Sequence, residues 1–131
     1  MRIVFLAGLV GVGSFGCASG PTAQETLPQL KAAIFSEVGS PDQNQQNSDL
    51  VSVVSREKHI HGLTRAELEK ALGRGDRCAN HPLCDEKGFF DDDWYYEVGQ
   101  PGEQYVRRRP ILLVGFSRFG KVERTFVREV R

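Results

Sequence analysis

Gly62-Leu63-Thr64-Arg65-Ala66-Glu67-Leu68-Glu69-Lys70-Ala71-Leu72-Gly73 is the stretch on which the fold turns. Thr64 is an N-cap residue and Glu67 stands three positions later. That is the spacing of a capping box, in which each side chain satisfies the other residue's free backbone N–H. Leu63 before the cap and Leu68 after it are placed for a hydrophobic staple. Leu68, Ala71 and Leu72 fall on one helical face, and Gly73 supplies a residue that tolerates positive φ where the helix stops. Upstream of this segment the apolar residues recur at helical spacing. Downstream the period drops to two.

Working upstream, Leu27, Leu30, Ile34 and Val38 predict a helix that starts near Thr26, with Thr26 as its cap and Pro28 in its first turn. Gly39 and Pro41 end it. Residues 39–47 (GSPDQNQQN) read as a polar linker. A second helix is expected from Ser48 to Gly62, with Leu50, Val53, Val54 and Ile60 buried. Its β-branched content leaves a strand over Leu50–Ser55 as the competing reading.

Working downstream, Trp94, Tyr96 and Val98 alternate with Tyr95 and Glu97, as in a half-buried strand. Ile111–Phe116 is a dense apolar strand, and Ser117-Arg118-Phe119-Gly120 is a turn. Val122, Phe126 and Val130 are expected on one face of a last strand, with Arg124 and Arg128 making it an edge or a half-covered strand. Three helices followed by three strands with short connections predict an α+β fold. It would be a two-layer sandwich, with the N-terminal helices packed on one face of a three-stranded antiparallel meander sheet. The expected core sets the helix stripes against Trp94, Ile111, Leu113 and Phe126.

The N-terminus carries an address. Arg2 precedes the apolar run Ile3–Val12, and small residues follow, the pattern of a secretory signal peptide. The run is too short for a transmembrane helix, which needs roughly 20 apolar residues. Gly16-Cys17 is similar to the end of a bacterial lipobox, which makes Cys17 the expected lipidation site. The organisation read from this is a signal peptide over 1–16, a tether over 17–25 and a single domain over 26–131. The protein has 17 Lys plus Arg against 17 Asp plus Glu, so nothing drives it electrostatically toward nucleic acid.

Cys78 and Cys84 are close in sequence, and in an oxidising compartment they are expected to form a disulfide that pins a local loop. The competing reading is zinc: Cys78, His81 and Cys84 form C-x2-H-x2-C, with His61 as a possible fourth ligand. His59 and His61 otherwise suit the free carbonyls of a helix end. Asp91-Asp92-Asp93 lack the spacing of a calcium loop and read as a solvated turn. Arg107-Arg108-Arg109 read as a solvated loop, or as a contact for anionic lipid headgroups or an acidic partner. No nucleophile elbow, phosphate loop or cofactor motif occurs, so no catalytic residue and no cofactor are assigned.

Taken in order, Gly62–Leu68, Leu72-Gly73, Trp94-Tyr95-Tyr96, and Leu113-Val114-Gly115-Phe116 leading to Gly120-Lys121-Val122 resemble the BamE/SmpA-like small outer-membrane lipoproteins of the β-barrel assembly machinery. The resemblance covers about Gly62 to Val130. It implies a non-enzymatic protein-interaction module in envelope or β-barrel assembly and maintenance. The protein would be held on the outer membrane by its lipid and face the periplasm, and Ala18 after the cysteine is compatible with that sorting. Arg107, Arg108, Arg109 and Phe119 are the candidate contacts for a partner protein or for lipid headgroups. The layout also resembles small secreted β-lactamase-inhibitor domains, so an exported inhibitor or ligand-binding domain is the alternative expectation.

Overall fold

The computed structural model describes residues 20–103 and 108–130. Among them, four α-helices and two β-sheets make an α+β fold. The elements in order are α1 (Ala23–Phe35), β1 (Glu37–Val38), α2 (Pro41–Arg56), α3 (Arg65–Leu72) and β2 (Asp76–Arg77). A 3-10 turn (Cys78–Asn80), α4 (Pro82–Glu86), β3 (Trp94–Glu97), β4 (Gln100–Pro101), β5 (Ile111–Phe116) and β6 (Val122–Arg128) follow. The main sheet is antiparallel in the order β2-β3-β5-β6, and β1 pairs with β4 in parallel. The sheet therefore has four strands where three were expected, because two residues of the segment after Gly73 pair with Tyr95 and Trp94.

Helix α3 follows its sequence signals closely. Thr64 caps it, the N–H of Thr64 donates to Glu67 Oε1 at 2.9 Å, and Gly73 ends it at φ +88°. The Thr64 backbone N–H holds the Glu67 carboxyl below its ordinary range, with the Thr64 side chain adding to the effect. The other two helices depart from expectation. Helix α1 starts at Ala23, a turn before Thr26, because Thr22 and Glu25 form a second capping box. Pro28 thus lies inside the helix, and Val38 belongs to β1. Thr26 is buried and bonds His59 Nδ1 at 2.7 Å, tying the first turn of α1 to the segment that follows α2.

The expected linker at 39–47 is the first half of α2. Ser40 caps it by accepting from Gln43 N, and Pro41 sits at N1, where its missing N–H costs nothing. Asn44, Asn47, Ser48, Val51 and Val54 form the buried stripe, so its first half is polar. Burying polar groups costs free energy unless they find partners, and Asn44, Ser48 and Ser55 of α2 have them. Asn44 Nδ2 donates to Arg108 O at 2.9 Å, Ser48 Oγ accepts from Val130 N, and Ser55 and Thr125 bond at 2.6 Å. The helix ends at Arg56, and Ile60 is buried from the following turn instead of from the helix. The competing strand over Leu50–Ser55 is excluded, since those residues are helical.

The sheet has two covered faces. Trp94, Tyr96, Leu112, Val114 and Val122 pack with Leu30, Ile34, Val51, Val54, Leu68 and Leu72 of α1 to α3. Ile111, Leu113 and partly buried Phe126 face the other way, against Cys78, Leu83, Cys84 and Phe89. The expected contact of Ile111, Leu113 and Phe126 with the N-terminal helices is therefore corrected: of that set only Trp94 packs in the core shared with α1 to α3. Val122 and Phe126 also lie on opposite faces, where the sequence spacing put them together. The cause is a register shift between Gly115 and Phe116, which places Val122 opposite Phe116 and Arg124 opposite Gly115. One extra residue, Glu123, reverses the side-chain parity of the rest of β6.

That reversal brings Arg124 onto the second face. Its guanidinium lies 4.1 Å from the centre of the Phe89 ring and donates to Gly88 O at 2.6 Å. Gly115 is needed opposite it, since a Cβ there would come within 2.8 Å of Arg124 Cγ and Nε. Cys78 and Cys84 are bonded to each other with Cα atoms 5.7 Å apart, and both are buried under this face. The bridge closes a short loop, so its loop-closure entropy contributes about 2 kcal/mol. Replacing both cysteines by Ala should lower urea-unfolding stability by about that amount while the far-UV spectrum of the helices is kept. A loss above about 5 kcal/mol would contradict the view that the bridge serves the loop more than the fold.

Candidate functional site

The candidate residues fall at the two ends of β5. Arg108 and Arg109 lie just before its first residue and Phe119 just after its last. They therefore belong to different surfaces. Cys17 and Arg107 lie outside the described residues.

Arg109 is turned inward. Its guanidinium pairs with Glu97 Oε2 and lines a cleft of about 300 Å³. The cleft forms where the C-terminal end of α1 meets the ends of β2, β3 and β4. Ile34 and Phe35 supply one wall, and Arg74 and Asp76 another. Tyr95, Tyr96, Glu97, Gly99 and Gln100 complete it with Arg109. Two local arrangements hold the walls in place. Gln100 donates from its backbone to Ser36 O at 2.8 Å and from its side chain to Ile34 O at 2.9 Å. Tyr96 donates its hydroxyl to Gly73 O at 2.8 Å, and burial pushes its pKa well above the ordinary phenol value.

Two features suit the cleft to recognition. Phe35 is 59% exposed although it lies against Gly73, whose absent side chain leaves room for the ring. And β2 begins at Asp76, opposite Tyr95, with Gly75 lying against Tyr96, so no strand pairs with Glu97 on that side of β3 among the described residues. The lining mixes Arg74 and Arg109 with Asp76 and Glu97, and Arg109 Nε and Asn47 Nδ2 are buried nearby without hydrogen-bond partners among the described residues.

The other chemistry-bearing residues are occupied structurally. The sulfurs of Cys78 and Cys84 are joined, which removes the thiolates that the zinc reading requires. His81 Nδ1 accepts from Leu83 N to cap α4, and its ring lies 4.4 Å from that of Tyr95. His61 is held below its ordinary pKa by burial and by Lys58. Among the described residues, no group of three or more His, Cys, Asp or Glu side chains could hold a metal ion. Asp91-Asp92-Asp93 is divided: Asp91 and Asp92 are exposed, and Asp93 is 2% exposed and accepts from two backbone N–H groups.

At the far end of β5, Phe119 is 76% exposed at the tip of the β5–β6 turn, with the Arg118 guanidinium 5.0 Å from its ring centre. Phe90, 68% exposed, lies on the loop before β3 at the same end. Sequence reading missed Phe35 and Phe90, because a single aromatic in a helix or loop carries no mark of its exposure. Among the described residues, no helix is long and apolar enough to cross a membrane. No protein-family model, curated protein or solved structure matches this sequence.

Proposed function

We propose that this protein is a non-enzymatic, BamE/SmpA-like lipoprotein of a Gram-negative outer membrane. It is anchored through Cys17, faces the periplasm, and acts by docking an envelope protein in β-barrel assembly or envelope maintenance. The observation that carries the docking reading is the cleft beside Glu97, the end of β3 that β2 leaves unpaired. An extended segment of a partner can add to such an edge through backbone hydrogen bonds, with flanking side chains giving specificity. Phe35 offers that segment an apolar contact, and Arg74 and Asp76 offer charges of both signs. The motif segments that resemble the family fall in α3, β3 and the β5–β6 hairpin.

The test is crosslinking and affinity isolation from detergent-solubilised envelopes. Phe35 and Arg74 are both exposed, so Phe35→Ala and Arg74→Glu should leave the melting temperature unchanged. They should also reduce recovery of the crosslinked partner about tenfold, as expected for loss of an aromatic or arginine anchor. Equal recovery with both variants would refute the cleft as the docking site. Cys17→Ser should release a folded protein into the soluble periplasmic fraction and abolish partner recovery in vivo. A released protein that still captures its target would favour the alternative of an exported inhibitor or ligand-binding domain.

A further inference from the structure

The root of α1 and two exposed phenylalanines share one end of the domain. In the first turn of α1, Thr26 bonds His59. Three residues on, Gly62 N donates to Val122 O and Leu63 O accepts from Val122 N, and Val122 follows the β5–β6 turn tipped by Phe119. On the other side of that turn, Phe116 N donates to Asp93 Oδ1, and Asp93 Oδ2 accepts from Phe90 N. Direct hydrogen bonds and short segments thus connect the start of α1 to both Phe119 and Phe90. Each ring has a guanidinium beside it, Arg118 at 5.0 Å and Arg124 at 5.8 Å.

Cys17 is 22 − 17 = 5 residues before Thr22, the cap of α1. Five residues reach no more than about 18 Å even when fully extended. An anchor at Cys17, the reading proposed above on which this step rests, therefore keeps this end of the domain at the bilayer. We infer that the Phe90–Phe119 end seats on the membrane surface as a second contact, the two rings entering the headgroup boundary. Phenylalanine is a residue that interfacial segments bury there, and the adjoining guanidiniums can stay at the phosphate level. The short tether supplies the local concentration that two rings need, since neither would hold a free domain to a vesicle.

The contact rests on aromatic burial and not on charge. Arg65, Arg118, Lys121 and Arg124 at this end are offset by Asp91, Asp92, Asp93 and Glu123, and the protein as a whole is balanced. Seating also has a consequence for orientation. Helix α1 has 13 residues and so spans about 20 Å, and the cleft lies at its other end. The docked domain points its cleft away from the bilayer.

The test uses the full-length protein expressed in a Gram-negative host, extracted with detergent and reconstituted in phosphatidylcholine vesicles with or without brominated acyl tails. Phe119→Trp and Phe90→Trp report on the two rings. Native Trp94, 6% exposed in the core, is the control present in the unsubstituted protein. Both variants should show at least twofold quenching of their added emission by the brominated lipid, with the control unaffected. Adding phosphatidylglycerol should change that by less than about twofold. Absence of quenching in both variants, or quenching that arises only with phosphatidylglycerol, would overturn the inference. If the extracted protein bears no acyl mass, the anchoring reading fails on its own. Coupling the Cys17 thiol to a maleimide phospholipid then restores the tether, and the same quenching decides the seating.

Discussion

Leu72→Asp is expected to leave the domain unfolded at 25 °C. Leu72 is the last residue of α3 and is 0% exposed, in the core shared by the helices and the sheet. Removing it forfeits roughly 1.5–3 kcal/mol of side-chain burial. Placing a carboxyl there without a hydrogen-bond partner costs a further few kcal/mol even if the group stays neutral. A domain of this size is stable by about 5–15 kcal/mol in total, so the combined loss removes most of the margin. Far-UV circular dichroism and thermal melting check it. A variant with the native spectrum and an unchanged melt would contradict the placement of α3 against the sheet.

Asp93→Ala is expected to be the next most damaging single change, at about 3–5 kcal/mol. Asp93 Oδ1 accepts from Phe116 N at 3.0 Å and Oδ2 from Phe90 N at 2.8 Å, while Arg124 Nη2 lies 3.9 Å from Oδ2. The carboxylate closes the join between the loop before β3 and the end of β5. Its loss strands backbone donors, each worth about 1–3 kcal/mol when buried unsatisfied, and leaves Arg124 without its counter-charge. Asp93→Asn keeps one of the two acceptors and turns its NH2 toward the other N–H, so it should cost less than the alanine change but remain destabilising. Urea denaturation gives both values. A loss under about 1 kcal/mol for the alanine variant would mean that water satisfies those N–H groups.

The sequence was most legible where independent local signals coincide. In α3 the cap, the reciprocal glutamate, the staple and the terminal glycine all agree, and the helix occupies the expected residues. The strands β3 and β5 were legible because their apolar density leaves no helical alternative. Helix α2 was not, because its first half buries Asn44, Asn47 and Ser48, and apolar periodicity is blind to a polar stripe. Its justification lies far along the sequence, at Arg108 and Val130. A local signal was present all the same: Ser40 before Pro41, with Asp42 in the first turn, is a helix start, and Thr22 with Glu25 is another.

The faces of β6 could not be read from spacing, since a bulge is a property of a strand pair and not of one strand. The cleft was equally hidden. It is assembled from α1, the residues flanking β2, the ends of β3 and β4, and Arg109, so no short window contains it. Composition alone made Arg107-Arg108-Arg109 look like a solvated basic patch, whereas the Arg109 side chain is folded in against Glu97. The disulfide was legible as an expectation because two cysteines six residues apart stand behind a stretch that reads as an export signal.

Anchorage through Cys17 is the claim from which docking at the membrane and the orientation of the cleft both follow. It is tested most directly by the intact mass of the protein recovered from each cell fraction. The account predicts a membrane-bound protein beginning at Cys17, with acyl mass on that residue and with Cys78 and Cys84 resistant to alkylation until reduced. A full-length protein recovered from the cytosol, with residues 1–16 still attached and no acyl mass, would contradict it.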